Sequence, residues 1–501
     1  MTSATTTLLE RSTPELQGVR SEAILAFLDG LAATPARIHS VMLLRHGRVI
    51  AEAWWRPFGP ERKRYLYSLS KSFTSTAVGF AVQDGLLALD DRVVSFFPDN
   101  LPETVSDNLA AMRVRDLLTM TTGHATDTTP AIFAPGLVNW TQAILALPVQ
   151  DPPGTHFVYN SGATYLLAVI VQTRTGRTLI DYLSGKLLGP LGIADVTWDA
   201  CPRGYLVGGW GLAATTEDVA RFGQFCLQRG MWKGVQLIPA AWIDEATAKQ
   251  VPNDGEDRVL EPIDWKQGYG YQFWRCQHDA YRGDGAFGQY CVVMPGQDAV
   301  LALTSETANM QVVLDQVWAH LVPALEGDGP LPTSPTAQQL KERLSHLQIA
   351  PPSGLSSTTV LGKGGVFSAD PNQSGIHTIA VEIDPEGCVL RVVNEGGEHA
   401  VRCGFGRWVD NQTTMPFLIP TMIKLFSAPT LQAPVPLAGA ATWSDPQTLT
   451  LIWQYLETPH QVTVTCHFDG DALSLQIQHS VAEPDNPFLS IRDTRLLGKA
   501  A

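Results

Sequence analysis

Tyr67-Ser68-Leu69-Ser70-Lys71-Ser72-Phe73-Thr74, with the run that follows it to Asp84, is the stretch on which the reading of this chain turns. From Ser72 to Gln83 there is no formal charge, and Phe73, Ala77, Val78, Phe80, Ala81 and Val82 make the run apolar on nearly every side. That pattern predicts a helix buried in a large domain. Lys71 is the exception at its head. Ser68 lies three residues earlier, a spacing that at a helix start puts hydroxyl and amine on one face. An ammonium held against an apolar core loses solvation, so its pKa falls and a neutral, proton-accepting amine becomes accessible near neutral pH. This is the chemistry of an activated serine nucleophile. The structural alternative makes Ser68 an N-cap and Lys71 a first-turn surface lysine. Alone, a Ser-x-x-Lys tetrapeptide in a long chain is a weak signal.

The rest of the composition narrows the class. At 501 residues, with 45% hydrophobic and 17% charged residues, the chain reads as a globular protein of two or three domains. Its net charge is −14, from 35 basic and 49 acidic residues, and no Lys/Arg block occurs. Nucleic acid and an anionic membrane surface are therefore not expected partners. Residues 1–17 lack the pattern of a secretory signal, and no apolar run reaches membrane-spanning length. The seven cysteines are scattered, without a C-x-x-C, and read as reduced thiols in a cytoplasmic protein. The histidines show no zinc-ligand spacing, so no metal is expected.

Outward from the central helix, Glu22 to Leu31 reads as an amphipathic helix. Ser40 to Arg45 and Arg48 to Trp55 form a hairpin through His46-Gly47. Val114 to Met120 reads as a short buried helix leaving through Thr121-Thr122-Gly123-His124. Ala125 to Leu137 is loop-like, and Asn139 to Leu147 is another helix. An extended stretch from Gly154 leads into an apolar helix, Ala163 to Thr173, with Tyr159 at its mouth. There its phenol reaches a shared cleft while Asn160 or Ser161 caps the helix; a packed aromatic and a simple cap are the structural alternative. Helices at Glu217 to Gln228 and Pro239 to Ala248 come next, then a strand at Gly268 to Trp274. Gly285 to Tyr290 opens a strand to Met294, Ala299 to Thr304 returns, and a helix runs from Met310 to Leu325. Two hairpins at opposite ends of this part, with helices between, predict an antiparallel sheet built from both ends around a helical insert, an α+β fold.

Residues 327–354, rich in Pro, Gly and Ser around one helix at Ala337 to Leu347, read as a linker between a 1–326 domain and a 355–501 domain. Beyond it, His377 to Ile383, Val389 to Val393, Thr448 to Trp453, Gln461 to Phe468 and Ala472 to Ile477 are short β-rich runs between turn signals, with Asp469-Gly470 as a hairpin turn. They predict a separate all-β domain, a small barrel. Gly362-Lys-Gly-Gly365 lacks the ending of a phosphate loop and reads as a turn. No Gly-x-Ser-x-Gly elbow is present.

Taken together, Ser68-Leu-Ser-Lys71, Leu117-Leu-Thr-Met-Thr-Thr-Gly123, Pro153-Gly154 followed by Tyr159-Asn-Ser161, and Gly285-Ala-Phe-Gly-Gln289 make the chain resemble the class C β-lactamase and penicillin-binding-protein superfamily of serine hydrolases. The esterase and 6-aminohexanoate-dimer hydrolase side is the nearer one, and the resemblance covers roughly residues 20 to 325. It implies Ser68 as acylated nucleophile, Lys71 as its proton acceptor and Tyr159 as a phenol sharing protons with both. The backbone N–H groups of Ser68 and Ala286 would form the oxyanion hole, and Ser161, Asp284 and Gly285 would contact substrate. No cofactor is implied. Where the family usually carries Lys or His two residues before a Gly, this chain has Gly283, so a cation for a substrate carboxylate is missing and β-lactams are disfavoured. The tail resembles the lipocalin-like domain that accompanies some of these hydrolases.

The expected activity is cleavage of small-molecule esters or amides through an acyl-enzyme on Ser68. An acyltransferase or D-aminopeptidase on the same site, and a ligand sensor of penicillin-binding-like fold without turnover, are the alternatives. A cell-wall carboxypeptidase is disfavoured for want of a secretion signal. Oligomeric state, a homo-oligomer included, is left open.

Overall fold

The structure, a computed structural model, describes residues 9–134, 136–255, 261–327, 329–333, 335–355, 364–372, 375–415, 434–480 and 494–500. Residue 135 of the Ala125 to Leu137 loop and Gly362-Lys363 of the glycine-rich turn lie outside them. The chain divides into two compact units, Met1–Trp54 with Lys63–Leu347 and Trp55–Arg62 with Gln348–Ala501. Among the described residues no helix is long and apolar enough to cross a membrane.

In the first unit, helix α1 (Ser21–Ala32) precedes strands β1 (Arg37–Arg45) and β2 (Arg48–Trp54). His46 and Gly47 make the turn with φ of 49° and 71°, the left-handed pair that matches strand twist in a two-residue hairpin. Strands β3 (Trp274–Arg275), β4 (Tyr281–Gly285), β5 (Gln289–Met294) and β6 (Ala299–Glu306) come from the far end of the unit. Together they form a six-stranded antiparallel sheet in the order β2-β1-β6-β5-β4-β3. Leu43 opposite Leu301 is one step of the β1–β6 register that joins the two hairpins. The sheet is thus built from both ends of the unit, as the two apolar hairpins predict. Every residue of β6 and all but the first of β1 are buried, so both sheet faces are covered.

The helical insert supplies the site. Helix α2 (Ser70–Gln83) follows a 3-10 turn at Tyr67–Leu69, and its residues from Ser70 to Ala81 are buried. The longer helix α4 (Ser161–Thr175) packs beside it, and the short helix α3 (Val114–Leu118) packs on α4. Helix α5 (Thr216–Leu227), closed by a Thr215/Asp218 capping box, lies on the sheet. Phe73 of α2 stacks on Phe222 of α5 with ring centroids 3.9 Å apart, tying insert to sheet.

Two expectations need correction. Gly268 to Trp274 is not a strand: Gly268 and Gln272 take φ of 113° and 64°, and only Trp274 joins β3. Strand β4 was not anticipated, because Arg282-Gly283-Asp284-Gly285 carries none of the β-branched residues that signal a strand. Within 327–354, helix α6 (Ala337–Ser345) packs on α1 with Leu340 buried.

The second unit is a barrel of antiparallel meander strands: β7 (Gly365–Ala369), β8 (Ile376–Asp384), β9 (Gly387–Asn394), β10 (Gly397–Phe405), β11 (Val409–Thr413), β12 (Val435–Asp445), β13 (Thr448–Tyr455), β14 (Gln461–Asp469), β15 (Ala472–His479) and β16 (Thr494–Ala500). The order is β10-β9-β8-β7-β16-β15-β14-β13-β12-β11, and a parallel β10–β12 pairing at Gly404 and Phe405 closes the ring. Alternation sends Leu473, Leu475 and Ile477 of β15 inward to a core with Trp443 and Trp453. Burying each such aliphatic side chain contributes roughly 1.5–3 kcal/mol. Phe58, from the segment that leaves the first unit after β2, packs with Ala438 and Leu456.

Candidate active site

Everything in the site is arranged about the first turn of α2. Tyr67 has φ of 48°, and Ser70 Oγ donates to its carbonyl at 2.6 Å, which fixes the bend that presents Ser68 beside the helix rather than inside it. Ser68 is half-buried, whereas Lys71 is only 2% exposed. Lys71 Nζ donates to Ser68 Oγ at 2.9 Å, to Ser161 Oγ at 3.0 Å and to the Gly209 carbonyl at 2.7 Å. Those three bonds use every donor an ammonium has. The surface-lysine reading is excluded by this burial. Burial pushes the Lys71 amine down to about 7, against the opposing charges of Asp127 and Asp284.

The Gly209 carbonyl reaches Lys71 because Gly208 and Gly209 press against α4. With φ of 73°, Gly208 would place a Cβ 2.4 Å from the Ala168 Cβ, so no side chain fits.

Tyr159, half-buried, lies with its ring centroid 4.9 Å from Lys71 Nζ. It stacks on Trp274 at 5.3 Å and meets Tyr269 edge-on at 6.4 Å. Burial, aided by Asp284, raises its phenol well above the usual tyrosine range despite a hydrogen bond with Ser68, so it is neutral at physiological pH. Asn160 is the cap of α4, with Oδ1 accepting from the Ala163 N–H at 3.3 Å. Of the two capping candidates the cap is therefore Asn160, and the Ser161 hydroxyl is free to accept from Lys71.

The third wall is β4 and the turn after it. Gly285 runs so close to the Tyr67–Leu69 turn that a Cβ there would lie 2.0 Å from the Leu66 carbonyl. Ala286 begins the turn, and Gln289 Nε2 pins its carbonyl at 3.2 Å. Among the described residues neither the Ser68 nor the Ala286 N–H has an intramolecular acceptor. A Cβ at Gly283 would lie 2.5 Å from both Leu69 Cδ1 and Ser72 Oγ. The cation missing from the sequence is thus a position with no room for any side chain. Asp284 is 6% exposed, paired with Arg282 Nε at 2.8 Å and hydrogen-bonded to Trp274; burial raises its pKa despite Arg282. Arg282 is fully buried, its guanidinium 4.2 Å from the Trp265 ring.

Three participants were not legible in the sequence. Asp127 stands in the Ala125 to Leu137 stretch, which reads only as a loop, yet its Oδ1 accepts from the Ser161 N–H at 3.0 Å. Trp274 backs Tyr159, and the only signal for it was an aromatic run. Gln272 joins three helices: its Nε2 donates to the Leu117 and Leu118 carbonyls, its Oε1 accepts from Thr164, and its carbonyl accepts from Ser72.

A serine-bearing turn at the head of a buried helix, a buried lysine and an antiparallel sheet edge define a β-lactamase-like architecture. The chain belongs to the Beta-lactamase family, which matches residues 32–322, more than half its length. It is 25% identical over 282 residues to the 6-aminohexanoate-dimer hydrolase of Paenarthrobacter ureafaciens, covering 53% of this chain and 71% of that enzyme. With the D-aminopeptidase of Brucella anthropi it shares 26% identity over 223 residues, 37% of this chain and 42% of the relative, so it spans under half of that protein. Among solved structures it is similar to EstCE1, a hydrolase with promiscuous acyltransferase activity, at a TM-score of 0.50 and 17% identity, covering 61% of this chain and 97% of that one. This last similarity concerns the fold alone.

Proposed function

We propose that the protein is a serine hydrolase that cleaves small esters or amides through an acyl-enzyme on Ser68. The observation that carries this reading is the 2.9 Å bond between Lys71 Nζ and Ser68 Oγ, with the amine buried and its pKa brought to about 7. Neutral Lys71 takes the Ser68 proton as Oγ attacks the substrate carbonyl. The Ser68 and Ala286 N–H groups receive the oxyanion. Tyr159, neutral and in contact with Ser68, passes a proton to the leaving group and takes one from the water that releases the acyl group, while Lys71 returns its proton to Ser68 Oγ as the acyl bond breaks. Ser161 holds Lys71 in line. Asp284, spent on Arg282 and Trp274, supports the Tyr159 wall in this reading, and Gly285, by letting β4 lie against Leu66, brings that strand up to the substrate. With no cation at Gly283, substrates without a carboxylate beside the scissile bond are favoured. The seven cysteines, buried and free, suit a reducing compartment such as the cytoplasm.

Of the relatives named above, one is a 6-aminohexanoate-dimer hydrolase and one a D-aminopeptidase, and the structural neighbour EstCE1 is a hydrolase with promiscuous acyltransferase activity. An acyl-enzyme open to an alcohol or amine would do the same here. Turnover of para-nitrophenyl butyrate by the full chain, with and without added alcohol, tests both. Steady release of nitrophenol that disappears in Ser68→Ala supports the hydrolase; an ester product in place of the acid supports transfer. No turnover of this ester or of its amide counterpart speaks for a sensor.

A further inference from the structure

We propose that Asp127 is a positioning residue of this site: its carboxylate holds Ser161, and the loop that carries it, against Lys71, and it sets the charge that Lys71 feels. The inference rests on the serine-hydrolase reading above. Asp127 Oδ1 accepts from the Ser161 N–H at 3.0 Å and from the Thr129 N–H and Oγ–H at 3.0 and 2.6 Å. The next loop residue mirrors it, with Thr128 N–H and Oγ–H donating to Asn160 Oδ1 at 3.2 and 2.7 Å. Two successive loop residues are thereby laced to the two residues that open α4. Ser161 is the first residue of that 15-residue helix, where the N–H groups lack intrahelical acceptors and an anion is favoured.

From there the connection to the chemistry is direct. Ser161 Oγ accepts from Lys71 Nζ, and Lys71 Nζ donates to Ser68 Oγ. Among the described residues three ionisable side chains face Lys71: Asp127 from the loop, Tyr159 from the extended segment before α4, and Asp284 from β4, with Arg282 behind it. The charge of Asp284 is answered by Arg282 at 2.8 Å. Asp127 has no cation against it among the described residues. Its field therefore falls on Lys71, where it favours the protonated amine and opposes the effect of burial.

The two roles separate by substitution. Asp127→Asn keeps an oxygen that can accept all three hydrogen bonds and removes only the charge. Asp127→Ala removes both. The readout is the rate of fluorophosphonate adduct formation, followed by intact mass on the full chain from pH 5 to 9. For Asp127→Asn the acid limb should move to lower pH by about half to one unit, so that labelling at pH 5.5 is about 3- to 10-fold faster than in wild type. Asp127→Ala should share that shift of the acid limb but label at least about tenfold more slowly on the plateau above it, where the positioning effect is read alone. An Asp127→Asn profile that overlays wild type refutes the charge role, and an Asp127→Ala plateau rate equal to wild type refutes the positioning. If Asp127→Ala fails to fold, the Asparagine variant still decides, because a merely structural aspartate would not move the limb. A wild type that takes no label at any pH overturns the serine-hydrolase reading itself and this proposal with it.

Discussion

Replacing Lys71 with methionine should change the pH dependence of stability in a direction and size that follow from its burial. Burial lowers the Lys71 amine from its ordinary value of 10.5 to about 7 in the folded chain, while the unfolded chain keeps the ordinary value. Between these two the unfolded state binds one more proton than the folded state, so wild-type stability rises with pH there, by about 1.4 kcal/mol per pH unit. Across the window the change sums to about 5 kcal/mol. Below pH 7 both states are protonated and the full penalty of the buried ammonium is present; above pH 10.5 both are neutral and it is gone. Lys71→Met has no such dependence. Its flexible stem occupies much of the same space, but it leaves Ser68, Ser161 and the Gly209 carbonyl without their donor, a loss that does not vary with pH in this range. The slope, not the offset, is the signal. Urea unfolding of both full chains from pH 6 to 10.5 gives it as wild-type minus variant stability of the first unit. A difference that climbs with pH by a few kcal/mol is expected. A difference flat within 0.5 kcal/mol, by about the additivity limit of such comparisons, would show that Lys71 is solvated and that the basis for its activation is wrong.

Other consequences are sharper at single positions. In wild type, the rate of Ser68 acylation should rise as pH passes about 7 and then level, since only neutral Lys71 accepts the proton; a rate that falls through this range contradicts the assignment. Tyr159→Phe should lower turnover by about 100-fold or more while the thermal melt stays unchanged, because the ring keeps its stack on Trp274. Gly283→Ala should destabilise the first unit by about 1–3 kcal/mol and slow turnover, since its Cβ would push on Leu69 and Ser72, the neighbours of Ser68 and Lys71; a thermal melt and ester assay check both.

What could be read before the structure follows a physical rule. Where a function needs a local pattern, the pattern is in the sequence: Ser68 and Lys71 lie three residues apart at the head of one helix, and the apolar run behind them announces the burial that alters the amine. The hairpins were equally legible, because β1, β2, β5 and β6 are each built on a short apolar run between turn signals. Strand β4 was not, since its glycines are there to let backbone approach Leu66 and Leu69, a demand that appears only once the chain is folded. The same holds for barrel strand β12, Val435–Asp445, where Ala438, Gly439, Ala440 and Ala441 give little strand signal. A Cβ on Gly439 would lie 2.3 Å from the Arg402 carbonyl, so the small residues allow the ring to close. Asp127 was hidden for another reason. Its role depends on a loop crossing to a helix 34 residues later, and no spacing along the chain encodes that.

The most direct test of the central claim is intact-protein mass after exposure to a fluorophosphonate probe, for wild type and Ser68→Ala side by side. A single adduct on wild type, mapped to Ser68 and absent from the variant, is the predicted result. No adduct on wild type, or an equal adduct on Ser68→Ala, would contradict an activated serine at the head of the buried helix.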